Sequence, residues 1–187
     1  MFVGHGRAGK DTACEYLAQI TTLRNAGTTS KYLCKHMAQV LNLPEDVAYG
    51  KRHEMRMLWY DEANKLREKG PTTLIRQALE NGEITGGVRD YQEIVAAKAE
   101  GLIDLIVWVD NNRVPEDPTV KFTPKECDLI IPNHWSLEEF HERIERFARF
   151  AGLPMRQNKT CYFGWSSFPV NKEAWDDIQQ WIKEKAA

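Results

Sequence analysis

The sequence predicts an α/β fold in which a parallel sheet lies between two layers of helices. Three observations carry that expectation. A glycine-rich turn, Gly4-His5-Gly6-Arg7-Ala8-Gly9-Lys10-Asp11-Thr12, follows the apolar Met1-Phe2-Val3 and leads straight into a helical pattern. Two stretches, Leu102 to Val109 and Asp128 to Ile131, are almost wholly apolar and β-rich, as strands buried on both faces must be. Strand and helix patterns alternate around glycine turns, the order that builds parallel sheets.

In chain order, Met1-Phe2-Val3 reads as the end of a very short first strand and Lys10 to Leu23 as the first helix. Ala26 to Ser30 forms a strand or turn that caps a second helix from Lys31 to Leu43, with Pro44 just beyond its end. A long helix is expected from Lys51 to Lys69, stopped by Gly70-Pro71, then a shorter one from Thr72 to Glu80. Glu83 to Val88 reads as a strand and Asp90 to Glu100 as a helix. After Pro132-Asn133, Ser136 and Glu139 have the spacing of a capping box, and Leu137, Phe140, Ile144, Phe147 and Ala151 recur at helical intervals. Residues 1–151 form the main domain. Residues 152–187, rich in aromatics, read as an extension packed on it and ending in an amphipathic helix from Asn171 to Lys185.

The 187 residues suffice for one domain with a sizeable core, and 42% hydrophobic with 28% charged residues is ordinary for a globular chain. A formal charge of −2 leaves no global footprint for nucleic acid, so binding of that kind needs a local basic patch. The four cysteines contain no C-x-x-C pair and read as packed thiols. No apolar run spans a bilayer and no leader is evident, so the expected location is cytoplasmic, without membrane partners.

Chemistry concentrates in three places. The segment from Gly4 to Thr12 has the G-x-x-x-x-G-K spacing of a phosphate-binding loop: glycines let backbone N–H groups curl around a phosphate, and a helix N-terminus adds partial positive charge. Lys10 then reaches the β and γ oxygens. Asp11 stands where Ser or Thr is usual, which makes it the candidate Mg²⁺ contact, while His5 shapes the loop and Arg7 either lies along the phosphates or is a solvated loop charge. The second place is the long predicted helix, where Arg52, Arg56, Tyr60, Ala63 and Arg67 share one face, with Met55, Trp59 and Leu66 as an inward stripe beside it. Aligned guanidinium groups and a tyrosine suit phosphate binding and base stacking. The third is Gly86-Gly87-Val88-Arg89-Asp90-Tyr91-Gln92-Glu93, where Arg89 faces the crevice and Asp90 is a candidate base or simply a helix cap. Asp110 and Arg113 are weaker candidates, and His53 and His134 read as structural.

The motifs Gly-Arg-Ala-Gly-Lys-Asp-Thr at 6–12 and Gly-Val-Arg-Asp-Tyr-Gln-Glu at 87–93 resemble those of bacteriophage P-loop kinases related to deoxynucleoside monophosphate kinases. The likeness continues through Ile103 to Asp110, Asp117-Pro118-Thr119-Val120, Cys127 to Ile131 and Asn133 to Phe140, about the first 150 residues. It implies a P-loop NTPase fold of nucleotide-kinase type, with ATP and Mg²⁺ as donor and metal. Two departures stand out. Gly87 occupies a position where the family commonly has an acid, and between Asp110 and Cys127 the only cations are Arg113, Lys121 and Lys125, so an arginine-rich lid is missing. In overall likeness the chain is most similar to the 5-hydroxymethyluracil DNA kinases, which phosphorylate the base hydroxymethyl group during thymidine hypermodification. The acceptor this implies is DNA carrying a modified pyrimidine, in the host cytoplasm if the chain is phage-encoded. A free deoxynucleoside monophosphate as acceptor, and a nucleotide-binding switch without catalysis, are the alternatives.

Overall fold

A computed structural model describes residues 1–156 of the chain. The first strand, β1 (Phe2–Val3), is two residues long because Gly4 opens the turn at once. It nevertheless holds the middle of a five-stranded parallel sheet of order β2-β3-β1-β4-β5, with β2 Asn25–Thr28, β3 Ile84–Gly86, β4 Val107–Asp110 and β5 Leu129–Pro132. Phe2 pairs with Gly86 on one side and Val107 on the other. The chain completes the β2–β3 side before crossing to β4 and β5, so the sheet reverses direction of growth at β1. The carboxyl ends of β1, β3 and β4 flank the resulting crevice, which is where ligands bind in open parallel sheets.

Alternating side chains build the layers. Phe2, Val107, Val109, Leu129 and Ile131 face α1 (Lys10–Ile20) and α7 (Leu137–Phe150), where Leu17, Ile20, Phe140, Ile144 and Phe147 close the core. Val3, Ile106 and Trp108 face the other way, against Ile75 of α5 (Thr73–Leu79) and Ile94 and Ala97 of α6 (Tyr91–Ala99). A third cluster ties α2 (Thr29–Leu41) to α4 (Arg56–Lys69) and α5 through Leu33, Met37, Trp59, Ala63 and Leu74. The helices of this last cluster lie between β2 and β3 in the chain and wall the crevice from one side. Ser136 and Glu139 form the expected reciprocal cap at the start of α7.

Several expected boundaries shift. The first helix stops at Ile20, where the Thr21 hydroxyl donates back to Leu17 O. The second begins at Thr29, two residues ahead of expectation, and ends before Asn42, which adopts a left-handed conformation. Of the apolar run 102–109 only Val107–Asp110 is strand, since β1 offers just two residues to pair with. The largest correction concerns the long helix from Lys51 to Lys69. Its opening residues are not α-helix: a tight turn of 3-10 helix at Lys51–His53 follows the separate α3 (Glu45–Gly50), and α4 begins only at Arg56. The N–H groups of Glu54 and Met55 both donate to Lys51 O, and Met55 leaves helical geometry at φ −102°, ψ 31°. Arg52 therefore stands on the turn, off the helix that carries Arg56, Tyr60 and Arg67.

Gly152 to Arg156 turns back onto α1. Thr21 and Met155 form an antiparallel bridge, and the Arg156 N–H donates to Ile20 O. The expected helix at 171–185 and Cys161 lie outside the described residues. No helix among the described residues is long and apolar enough to cross a membrane.

Candidate phosphate and acceptor site

Gly9 precedes α1 at φ 108°, a backbone angle that a side chain would oppose, and no side chain caps the helix behind it. The first-turn N–H groups of α1 thus face the loop without a side-chain partner. The ammonium of Lys10 folds back over the loop and donates to Gly4 O and His5 O. Asn133, just past β5, ties down the other flank by donating from Nδ2 to Ala8 O at 2.8 Å. Lys10 is buried, and burial together with the nearby Arg89 charge lowers its pKa from 10.5 to about 8. The loop region is a place with more positive charge than its own acids relieve.

Two arginines converge on this loop from different elements. Arg56, at the start of α4, packs its guanidinium so close to Gly6 that any Cβ there would collide with it. Arg89, in the segment between β3 and α6, approaches from the sheet. Both donate to Oδ2 of one carboxylate, Asp117, the second over 2.5 Å. Oδ1 of Asp117 accepts from the Thr119 N–H at 3.1 Å and the Thr119 hydroxyl at 2.6 Å, and that hydroxyl also accepts from Arg89. The Asp117 N–H in turn donates to Nδ1 of His5, whose ring stands edge-on to Trp108. Only 2% of the Asp117 side chain is exposed. Burial pushes its carboxyl up, yet the bonds from Thr119 and Arg89 and the Arg89 charge outweigh it, and the group sits well below the usual carboxylate range. His53 completes the cluster by accepting from Arg56 at Nδ1.

Beside this junction lies a cavity into which Arg52, Arg56, Tyr60, Arg67 and Arg89 all project. The broken helix still delivers its predicted residues to one place, because the turn at Lys51–His53 folds Arg52 over the end of α4. Thr29 and Ser30, at the uncapped start of α2, lie on the opposite wall, and Leu33, Trp59 and Leu74 form an apolar floor. The free volume is about 40 Å³. Charge is largely paired inside: Arg56 and Arg89 share Asp117, and Arg67 meets Glu93 of α6 at 2.8 Å, with just 1% of the Glu93 side chain exposed. Arg52 lies 4.0 Å over the Tyr49 ring and donates to Tyr49 O.

Other expected residues fall elsewhere. Asp90 caps α6, accepting from the Gln92 N–H at 2.8 Å, and does not line the cavity. Asp11 is exposed on the first turn of α1, with Thr12 half-buried beside it, and Arg7 is exposed at φ 64°. Gly87 lines the cavity at φ 90°, where a Cβ would lie 3.1 Å from Thr28 and 3.2 Å from the Thr29 hydroxyl, so the start of α2 occupies the space an acid would need. Asp110 ends β4 and pairs with His134 at 2.7 Å, a partner that spacing alone did not reveal. Arg113 is spent on the Asn111 side chain and the carbonyls of Asn133 and Trp135.

These residues fit a nucleoside triphosphate: an uncapped helix start, a buried lysine and two converging guanidinium groups all gain from an anion. No group of three or more metal-ligating side chains occurs among the described residues. Asp11 and Thr12 offer two oxygens, which suffices for Mg²⁺ held mainly by phosphate and water. Asp117 is the functional candidate that pattern reading passed over, although Asp-x-Thr is a recognisable side-chain turn. Comparison with protein-family models, curated proteins and solved structures finds no match for this chain.

Proposed function

We propose that the protein is an ATP-dependent phosphotransferase of the P-loop kinase type, whose acceptor is the hydroxymethyl group of 5-hydroxymethyluracil in DNA. The observation that carries this reading is Asp117, a buried carboxylate held between the phosphate loop, Arg56 and Arg89. A hydroxyl acceptor must shed a proton during transfer, and a carboxylate at the junction accepts it; a phosphate acceptor needs no base and would be repelled. The paired charges of the cavity likewise favour a near-neutral acceptor.

The loop and Lys10 hold and polarise the triphosphate, with Asp11 and Thr12 beside it. Bound Mg²⁺ would supply charge neutralisation across the β and γ phosphates. The four lone-pair positions of Asp117 are all engaged, two by Thr119 and one each by Arg56 and Arg89. As a guanidinium turns toward the phosphoryl group, it frees one position for the acceptor hydroxyl. The hydroxyl oxygen then bonds to the γ phosphorus, the bond to the bridging oxygen breaks, ADP leaves with that electron pair, and the proton passes to Asp117. A weak base suffices, because in a loose transition state the proton departs late. Asp90, committed to its helix, is the lesser candidate. The segment between β4 and β5 buries Asp117, Thr119 and Phe122 and carries few cations, leaving the acceptor side open to a polymer.

A second reading, a free deoxynucleoside monophosphate kinase, draws on the start of α2 and the four guanidinium groups around one cavity. Labelled ATP offered with 5-hydroxymethyluracil DNA, and separately with a panel of deoxynucleoside monophosphates, separates the two. Label in the DNA is expected. Label only in free diphosphates would sink the DNA reading, and ATP binding with no labelled product would leave a nucleotide-binding switch.

A further inference from the structure

The acceptor cavity contains two polar groups that its own walls leave unused. Trp59 is 5% exposed and its indole Nε1–H finds no acceptor among the described residues; the same is true of the Nε–H of Arg67. Both residues line the cavity. Neither donor is free to turn away. Arg67 is anchored at its other nitrogens, Nη1 donating to Asn64 Oδ1 and Nη2 against Glu93, and its guanidinium lies 5.5 Å over the Tyr60 ring. Trp59 is packed among Leu33, Met37, Ala63 and Leu74 and meets Tyr49 edge-on. Trp108 also has an unpaired Nε1–H, but it lies in the core behind the sheet and lines no cavity.

A buried donor without a partner costs free energy that a ligand acceptor recovers. Two unpaired donors on residues that line one cavity therefore favour a ligand that brings acceptors to them. Among pyrimidines, uracil presents a carbonyl oxygen at C4 where cytosine carries an exocyclic amino group, itself a donor, while the O2 carbonyl is common to both. Cytosine would set N–H against N–H and leave both sides unpaired, the kind of mismatch that discriminates most strongly. We infer that Trp59 and Arg67 are specificity-determining residues that read the carbonyl edge of a dioxopyrimidine inserted into the cavity, excluding the aminopyrimidine of the same shape. The inference rests on the proposed acceptor site and adds which side chains tell its base from the aminopyrimidine, and by which atoms.

The test uses single-stranded oligonucleotides carrying one 5-hydroxymethyluracil or one 5-hydroxymethylcytosine. In the wild-type protein, labelled with ¹⁵N, the Trp59 indole N–H resonance (assigned with Trp59→Phe) is expected to move downfield on saturation with the uracil oligonucleotide and not with the cytosine one. Trp59→Phe and Arg67→Lys each remove one donor and each should weaken binding of the uracil oligonucleotide about tenfold, the one that meets O4 leaving the cytosine oligonucleotide unchanged. An indole signal that stays still at saturation overturns the inference, whatever the variants do. So does a uracil-to-cytosine preference that survives in both variants. Base preference with an indole shift but no phosphorylation would uphold the two readers and bring down the kinase reading; phosphorylation with an unmoved indole would do the reverse.

Discussion

Around the phosphate loop, the polar groups come from consecutive residues, Gly4 to Thr12, and much of the work falls to backbone. Around the cavity they come from side chains scattered over α2, the Lys51–His53 turn, α4 and the segment after β3. The charge balance differs as well. On the loop side Lys10 is buried with its pKa depressed to about 8 and the start of α1 is uncapped, so positive charge waits for an anion. On the cavity side buried Asp117 and Glu93 already answer three of the arginines. In the proposed function, a site that supplies its own carboxylates suits a partner with little charge of its own, and the contrast is that between a donor side that would bind by electrostatic deficit and an acceptor side that would bind by shape and hydrogen bonds.

The contrast breaks most visibly at Lys10. Lys10→Ala is expected to reduce phosphoryl transfer from ATP by about a thousandfold, the scale for removing a group that stabilises charge in the transition state. Near-normal turnover with labelled ATP would remove the loop from the reaction. Asp117→Asn tests the other half. It keeps the side-chain turn with Thr119 but supplies no base, so kcat on a hydroxyl acceptor should fall at least about a hundredfold with little change in the KM for ATP. Circular dichroism checks that the variant is folded. A phosphate acceptor predicts the opposite, an unchanged or faster rate, because a repelling carboxylate has gone.

The same difference explains what was legible in the sequence. The loop is local: seven residues of fixed spacing carry its geometry, and Gly9 before an uncapped helix follows from them. The apolar runs likewise announced a parallel sheet, and Ser136 with Glu139 announced the start of α7. The cavity depends on distant meetings. Periodicity put Arg52, Arg56, Tyr60 and Arg67 on one helix; the chain breaks at Met55, yet the turn returns Arg52 to the group. Spacing held no sign that Asp117 would meet Arg56, 61 residues away, or that Glu93 would take Arg67. Gly87 shows the limit from another side, since its lack of a side chain answers to Thr28 and Thr29.

A thermodynamic consequence of the charge deficit at Lys10 appears in the pH dependence of stability. Its folded pKa of about 8 lies below the ordinary 10.5. Below pH 8 both states hold the proton and the folded state carries the full penalty. Between pH 8 and 10.5 the unfolded chain binds more protons, so this group makes stability rise with pH, by about 3 kcal/mol in all. Urea unfolding of wild type against Lys10→Met across that range isolates the effect: the variant should be the more stable at pH 7.5, with the gap closing as pH rises. A constant gap would mean that Lys10 carries no such penalty.

The smallest effect belongs to Arg52, and it sharpens the boundary between the two halves. Among the described residues Arg52 has no carboxylate partner; it rests on Tyr49 at the mouth of the cavity. If the acceptor is DNA, as proposed, a cation there would meet a phosphate flanking the inserted base, a contact that would hold the strand without touching the chemistry. Arg52→Ala should therefore weaken DNA binding severalfold and reduce the slope of log affinity against log salt by about one, with kcat unchanged. Arg56→Ala, by contrast, should lower kcat, because that guanidinium touches both Gly6 and Asp117. If the two substitutions behave alike, the mouth and the junction are a single electrostatic unit, and the division into an anion-seeking side and a charge-balanced side fails at the point where they meet.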